Sequence, residues 1–289
     1  MRIQTSSWWT RVLLAAGAQR RPLNNNDLRN TDLRYADMSG TDLRGVDLSF
    51  VDLTSANLAE ANLSQASMTG VQLSRADLTG VNLTEAVLSR GLLVNANLTR
   101  AIMRNAYVFH ADLSLANMTK ARLTGITLRD SVLVGANLTD AYITGAQLQG
   151  ANFRGASLVR ADLRRADLSN ARLVDADVQA AFLVDARLRR ASLVRANLIQ
   201  ANLVDADLRG TNLRGAILNG ANLDGANLDG AMFAHTDLSN VTWSEQTVWP
   251  DRLGEVMLAR SVQIGRGRYR VQGPEGREAD ATVPPVPVS

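Results

Sequence analysis

The chain has 289 residues, no cysteine, two histidines, and aromatic residues amounting to only 4%. Each shortage removes a class of chemistry. Without cysteine there are no disulfides and no thiolate metal sites, which suits a reducing compartment and gives a cytoplasmic expectation. With so few rings a core must be aliphatic, and Leu and Ala supply it within a hydrophobic fraction of 46%. No stretch approaches the roughly 18 apolar residues needed to cross a bilayer, so membrane insertion is not expected. Val12 to Ala18 ends in a small-residue pattern (Ala16, Gly17, Ala18) that imitates a signal-peptide cleavage site. Its apolar core of about seven residues is too short for that role, and Arg11 interrupts the approach.

The formal net charge of +3 is unevenly spread. Residues 1–25 hold Arg2, Arg11, Arg20 and Arg21 and no acid, whereas residues 26–243 hold 21 basic and 22 acidic residues. The long middle is therefore close to neutral, and totals alone mark no face of it as a polyanion or polycation.

What the sequence does have is a strict period. From Leu28 every fifth residue is large and apolar, through Leu33, Met38 and Leu43 to Phe233, Leu238 and Trp243, giving 44 consecutive units of which 34 carry Leu. Within a unit the order is Ala, Asp or Asn, Leu and two variable residues, as in Ala56-Asn57-Leu58-Ala59-Glu60 and Ala161-Asp162-Leu163-Arg164-Arg165. A spacing of five is far from the 3.6 of a helix. In an extended segment residues two apart share a face, so Ala56 and Leu58 point the same way. Five is odd, so a straight strand would send the next Leu to the opposite side. A bend at every unit is required to bring it back, and the chain must coil.

This pattern resembles the pentapeptide-repeat proteins, whose Ala-(Asp/Asn)-Leu-x-x consensus it matches from Asn26 to Trp243. The resemblance implies an all-β fold, a right-handed quadrilateral parallel β-helix with four units per coil and the Leu inside. Forty-four units would then make about 11 coils, roughly 50 Å long at ~4.8 Å per coil. Open ends of such a coil expose unpaired backbone, so both should be covered. Residues 1–25 form a candidate N-terminal cap, with Ser6 or Ser7 leading a short helix through Trp8, Trp9, Val12, Leu13 and Ala16. Residues 244–272 form the other: a C-terminal helix carrying Trp249, Leu253, Val256 and Met257, then Gln263 to Gln272, which reads as a strand or a basic arm. Residues 273–289, with Pro284, Pro285 and Pro287, read as a disordered tail.

No catalytic grouping can be assembled. His110 and His235 both occupy the fifth position of a unit and are expected to face solvent, and no Ser-His-Asp set exists. The many Asp residues before Leu, such as Asp27, Asp32 and Asp37, are replaced by Asn elsewhere (Asn57, Asn62, Asn82). Short side chains there hydrogen-bond neighbouring backbone, and no calcium motif accompanies them. Gly265 to Arg268 lacks any phosphate-loop pattern. No metal, cofactor or catalytic residue is assigned, and direct nucleic-acid binding is not expected. The arginines from Arg160 to Arg195 are offset by Asp162, Asp167, Asp175, Asp177 and Asp185, so a salt-bridged surface is expected there.

Apolar residues at outward slots are the more informative feature. Leu92, Val94, Leu115, Val132 and Val134 gather on one side, with Val87, Tyr107 and Phe109 adjoining. β-branched residues suit strands anyway, but Leu92, Tyr107 and Phe109 are not so explained, and together the eight form a candidate partner surface. The function expected is a non-enzymatic scaffold for an unidentified protein partner, or a homodimer through the C-terminal helix. The alternative implied by the resemblance is a mimic of duplex DNA that protects DNA gyrase or topoisomerase IV from quinolone-type inhibitors. That mechanism needs a strongly acidic body, and the near-equal charges of residues 26–243 count against it.

Overall fold

The computed structural model describes residues 32–273, divided between Tyr142 and Ile143 into two compact units. The candidate N-terminal cap and the tail beyond Gly273 lie outside the described residues. In each unit the second residue of every five pairs in parallel with the residue 20 positions on. In the first unit Asp32, Asp52, Gln72, Leu92, Asp112 and Val132 form one such ladder, and Asp47, Ser67, Val87, Tyr107 and Thr127 form another. Two more begin at Asp37 and Asp42, giving four faces. The second unit has four likewise, among them Asn152 to Met232 through Arg172 and Gln147 to Val248 through Asp167.

The backbone of one repeat accounts for its whole pattern. In Ala56 to Glu60, the Ala56 N–H donates to the Leu53 carbonyl across the preceding turn (3.0 Å), and the Asn57 N–H to the Ala36 carbonyl of the previous coil (2.9 Å). The Leu58 and Glu60 N–H groups donate forward to the Asp77 and Thr79 carbonyls at 2.7 and 2.8 Å. Only the Ala59 N–H lacks a backbone acceptor, and the Asn57 Oδ1 takes it at 3.1 Å. All five donors are thus satisfied, as buried backbone requires. Asp or Asn recurs at the second slot because its side chain supplies the acceptor that the coil does not.

The bend is made at the fifth residue. Its φ lies in the left-handed region in repeat after repeat, at 59° for Glu60, 60° for Arg75 and 53° for His110. A non-glycine residue pays for that backbone with a Cβ clash of roughly 1–2 kcal/mol, so glycine is common here. Gly135, with φ +64°, shows a second use, because a Cβ there would lie 2.8 Å from the Leu115 Cδ2 that rests upon it.

The bend returns every Leu inward. Leu33 through Leu228 are 0–1% exposed at the central slot, as are most of the Ala residues two positions before them. Where a hydroxyl replaces Ala it remains buried and bonded: Thr41 Oγ1 donates to the Met38 carbonyl at 2.6 Å and Thr236 Oγ1 to the Leu213 carbonyl at 2.7 Å.

The second unit closes with a different arrangement. The ladder runs past Trp243, pairing Asn227 with Val248 rather than with the residue 20 positions on, so one extra residue is accommodated. Thr247 then fills the small buried slot, its Oγ1 donating to the Leu223 carbonyl at 2.8 Å. Strand β1 (Thr242–Ser244) lies just before this turn, and helix α1 (Leu253–Ala259), strand β2 (Ser261–Gly265) and strand β3 (Arg268–Val271) come after it, the strands forming an antiparallel sheet ordered β1-β3-β2. Gln263 to Gln272, which the sequence leaves as a strand or a basic arm, is mostly this β2-β3 hairpin. Trp243 stacks on Tyr269 at 4.7 Å between centroids and meets Trp249 edge-on at 5.8 Å, and Trp249 lies 6.0 Å from Phe233. Phe233, Trp243 and Met257 are all buried.

Leu138 is fully buried, and Leu138→Ala should cost about 2–5 kcal/mol as transfer and cavity terms combine. Leu138→Asp should cost more, since its charge finds no partner in an aliphatic interior. Urea unfolding midpoints that matched the parent protein would contradict this packing.

Candidate partner surfaces

In the first unit the eight outward apolar residues fall on two neighbouring faces and the corner beyond. Leu92 and Tyr107 are 45% and 46% exposed and Leu115 is 57% exposed, whereas Val87, Val94, Phe109, Val132 and Val134 are half-buried. Tyr107 and Phe109 flank the inward Val108 and stack at 6.1 Å between ring centroids. The cluster is not continuous. Asp112 bridges both Leu92 and Val132, so Asp112 and Ser114 separate the Leu92–Val94 pair from the Val132–Val134 pair.

These substitutions remove a hydrogen bond as well as a polar side chain. With Leu92 and Tyr107 in the slot that most often holds Asp or Asn, the N–H groups of Val94 and Phe109 have no acceptor among the described residues. Strand propensity explains neither the lost acceptors nor the exposed Tyr107 ring. Period and composition could have signalled this, since the Asp/Asn slot is readable in every repeat.

The other sequence-derived candidates separate. On α1 Met257 is buried, Leu253 is half-buried and Trp249, preceding the helix, is engaged with rings. Val256 alone of the four is exposed, beside the exposed Leu258. His110 and His235 are exposed at corners, and no cluster of His, Asp or Glu among the described residues could hold a metal ion. Beside the hairpin, Asp205, Asp224, Glu245, Arg266 and Arg268 line a cleft of about 590 Å³, with Arg268 Nη2 2.5 Å from Asp224 Oδ2.

The arginines of the second unit are largely paired. Arg164 holds Asp162 at 2.6 Å, Arg195 holds Asp175 at 2.7 Å, Arg165 approaches Asp185 at 3.7 Å, and Arg189 engages Asp207. The Arg164 side chain, and then its backbone N–H, hold the Asp162 carboxyl below the ordinary carboxylate value despite partial burial. Most such exposed pairs contribute little to stability.

Two units of four parallel ladders around a leucine interior define a repeat solenoid of β-helical type. The sequence model of the family described as pentapeptide repeats matches in eight copies spanning 23–242 with slight overlaps, and the chain belongs to that family, whose fold is a right-handed β-helix. No curated protein sequence matches it. Among solved structures it is similar to HetL, a pentapeptide repeat protein involved in heterocyst differentiation regulation from the cyanobacterium Nostoc sp. strain PCC 7120. The identity is 32% over 75% of this chain and 90% of that one, with a TM-score of 0.43. A structure of QnrB1, a plasmid-mediated fluoroquinolone resistance protein, matches at 16% identity over 60% of this chain and 95% of that one, TM-score 0.42. A pentapeptide repeat protein from the Arabidopsis thaliana thylakoid lumen matches at 24% over 44% and 85%, TM-score 0.30. No helix among the described residues is long and apolar enough to cross a membrane.

A depressed carboxyl stabilises the fold fully above its ordinary unfolded value, near pH 4, and ceases to do so as pH falls through its lowered folded value. Acidification below about pH 4 should therefore lower the thermal midpoint, and Asp162→Asn should make that decline shallower. Equal slopes for the two proteins in acid-titrated melts would contradict the Asp162–Arg164 pairing.

Proposed function

We propose that the protein is a non-enzymatic scaffold that binds a protein partner through the outward apolar residues of its first unit. The observation that carries this reading is the replacement of the Asp/Asn slot by Leu92 and Tyr107, which exposes apolar surface and strips the Val94 and Phe109 amides of their acceptors. An isolated solenoid gains nothing from either change. A partner that lays apolar side chains over Leu92 and Tyr107 and offers carbonyl oxygens to the two amides recovers both.

A homodimer through α1 is the second form of this reading, and it rests on Val256 and Leu258, since Met257 is committed to the interior. The DNA-mimic alternative has less support. The first unit carries apolar and basic groups such as Arg90, Arg100 and Arg104 where a mimic needs continuous carboxylates.

Leu92→Ser combined with Tyr107→Ser should weaken association with a partner recovered from the native host at least about tenfold, equivalent to 1.4 kcal/mol. The thermal midpoint should barely move, because both side chains are exposed. Undiminished capture by the double variant, together with an unchanged sedimentation coefficient, would remove the first unit from consideration. Val256→Glu tests α1 separately by the same sedimentation measurement.

A further inference from the structure

The second unit presents a face whose chemistry differs from the rest of the solenoid. The ladder through Arg172 has ten outward positions between 152 and 234, and they contain three arginines, Arg154, Arg172 and Arg214, and no carboxylate. All three are exposed, and Arg190 stands exposed at the adjoining corner. Asp175, at the opposite corner, is taken up by Arg195 at 2.7 and 2.8 Å, with Arg154 more distant at 3.9 Å. Arg172, Arg190 and Arg214 form no ion pair among the described residues, in contrast to Arg187, Arg189 and Arg209, which are paired on the neighbouring face through Asp167.

The backbone of this face adds donors to the same surface. With Arg172 and Ser192 in the Asp/Asn slot, the N–H groups of Val174 and Val194 have no acceptor among the described residues. Where Asn is present, at Asn152 and Asn212, its side-chain oxygen is already spent on the Arg154 and Arg214 amides at 3.2 Å. The Val174 and Val194 carbonyls are used by corners of the preceding coil, accepting from the Gly155 and Asp175 N–H groups. The groups left over are thus nearly all donors, and they surround two aliphatic side chains stacked in register.

We propose that this face binds an acidic, extended segment of another protein. Its carboxylates are taken by Arg154, Arg172, Arg190 and Arg214, for which the planar guanidinium is suited to bidentate pairing. Its aliphatic side chains rest on Val174 and Val194. From Arg154 to Arg214 is three coil steps, about 14 Å at ~4.8 Å each, a length covered by an extended segment of four to five residues. A nucleic acid fits less well, because the face has no aromatic ring on which a base stacks. The site is distinct from the first-unit surface, so either stands without the other.

The test is fluorescence anisotropy on the full chain with a labelled peptide of alternating Glu and Val, and in parallel a labelled single-stranded oligonucleotide of similar charge. The peptide should bind and should weaken at least about fivefold when salt rises from about 50 to about 300 mM, as screening of exposed charges demands. Replacing Arg172, Arg190 and Arg214 together by Glu should abolish binding with an unaltered circular dichroism spectrum. Replacing Arg90, Arg100 and Arg104 by Glu, the same change of net charge in the first unit, should leave it intact. Absence of peptide binding at low salt, equal loss in the two triple variants, or tighter binding of the oligonucleotide than of the peptide would each overturn the proposal. If the Arg172 triple variant fails to fold, single replacement of Arg172 by Gln serves, with a several-fold weakening expected and no change refuting.

Discussion

The left-handed corner is the constraint on which everything else in this protein depends. Two residues of strand alternate inward and outward, and a five-residue period cannot keep its large side chain on one side unless the backbone reverses its sense once per repeat. That reversal is carried by residues with φ near +60°, many of them not glycine: Arg75, Glu85, Leu115 and Arg190 among others. Each bears a cost of about 1–2 kcal/mol relative to a right-handed conformation. The cost is offset locally, because the corner residue's N–H donates to the next coil, as Glu60 does to Thr79. It is offset again by the Leu that the corner sends inward, whose burial is worth about 1.5–3 kcal/mol.

From that corner follows a separation of labour within the repeat. The first and third residues are inward and almost invariant in character. The fifth points away from the body and tolerates Arg, Asp, Phe or His without disturbing anything inside. The second is intermediate, since Asp or Asn there completes the hydrogen bonding of the fourth residue's amide, yet the coil survives without it at Leu92, Tyr107, Arg172 and Phe182. A departure at the second slot therefore costs a hydrogen bond without costing the fold. Such positions are where this architecture can trade internal satisfaction for an external contact.

The interior was legible from sequence because its constraint is periodic and exclusive: a Leu at every fifth place admits no helix and no flat strand, and the buried columns follow. The role of Asp and Asn in bonding nearby backbone was also legible, as Asn57 with Ala59 shows. The end of the winding was less so. After Trp243 the triplet Thr247, Val248, Trp249 reproduces the small, bridging and large sequence of a repeat, but one residue late, and a scan in steps of five passes over it. Gln263 to Gln272 carries a strand pattern interrupted by Gly265 and Gly267, and only pairing with β1 distinguishes a hairpin from an arm. The first-unit patch was visible as a set of residues, while its division by Asp112 and Ser114 depends on which ladder each residue joins.

Charge shows most sharply why the ladder matters more than the total. Residues 26–243 have 21 bases against 22 acids, and that balance argues against any polyionic surface when charges are taken as randomly placed. They are not randomly placed, because the fold sorts each position by its remainder on a 20-residue pitch. On the face of the second unit that runs through Asp167, the bases Arg187, Arg189 and Arg209 each meet Asp167 or Asp207 within 4.0 Å, so most of their charge is offset locally. On the face through Arg172 no acid is present to do so. Screening in salt water confines each charge to a neighbourhood of about 8–10 Å, only two coils in extent, so what an approaching partner meets is the local remainder and not the sum. Near-neutrality of the whole is thus compatible with a face that carries bases and no acid.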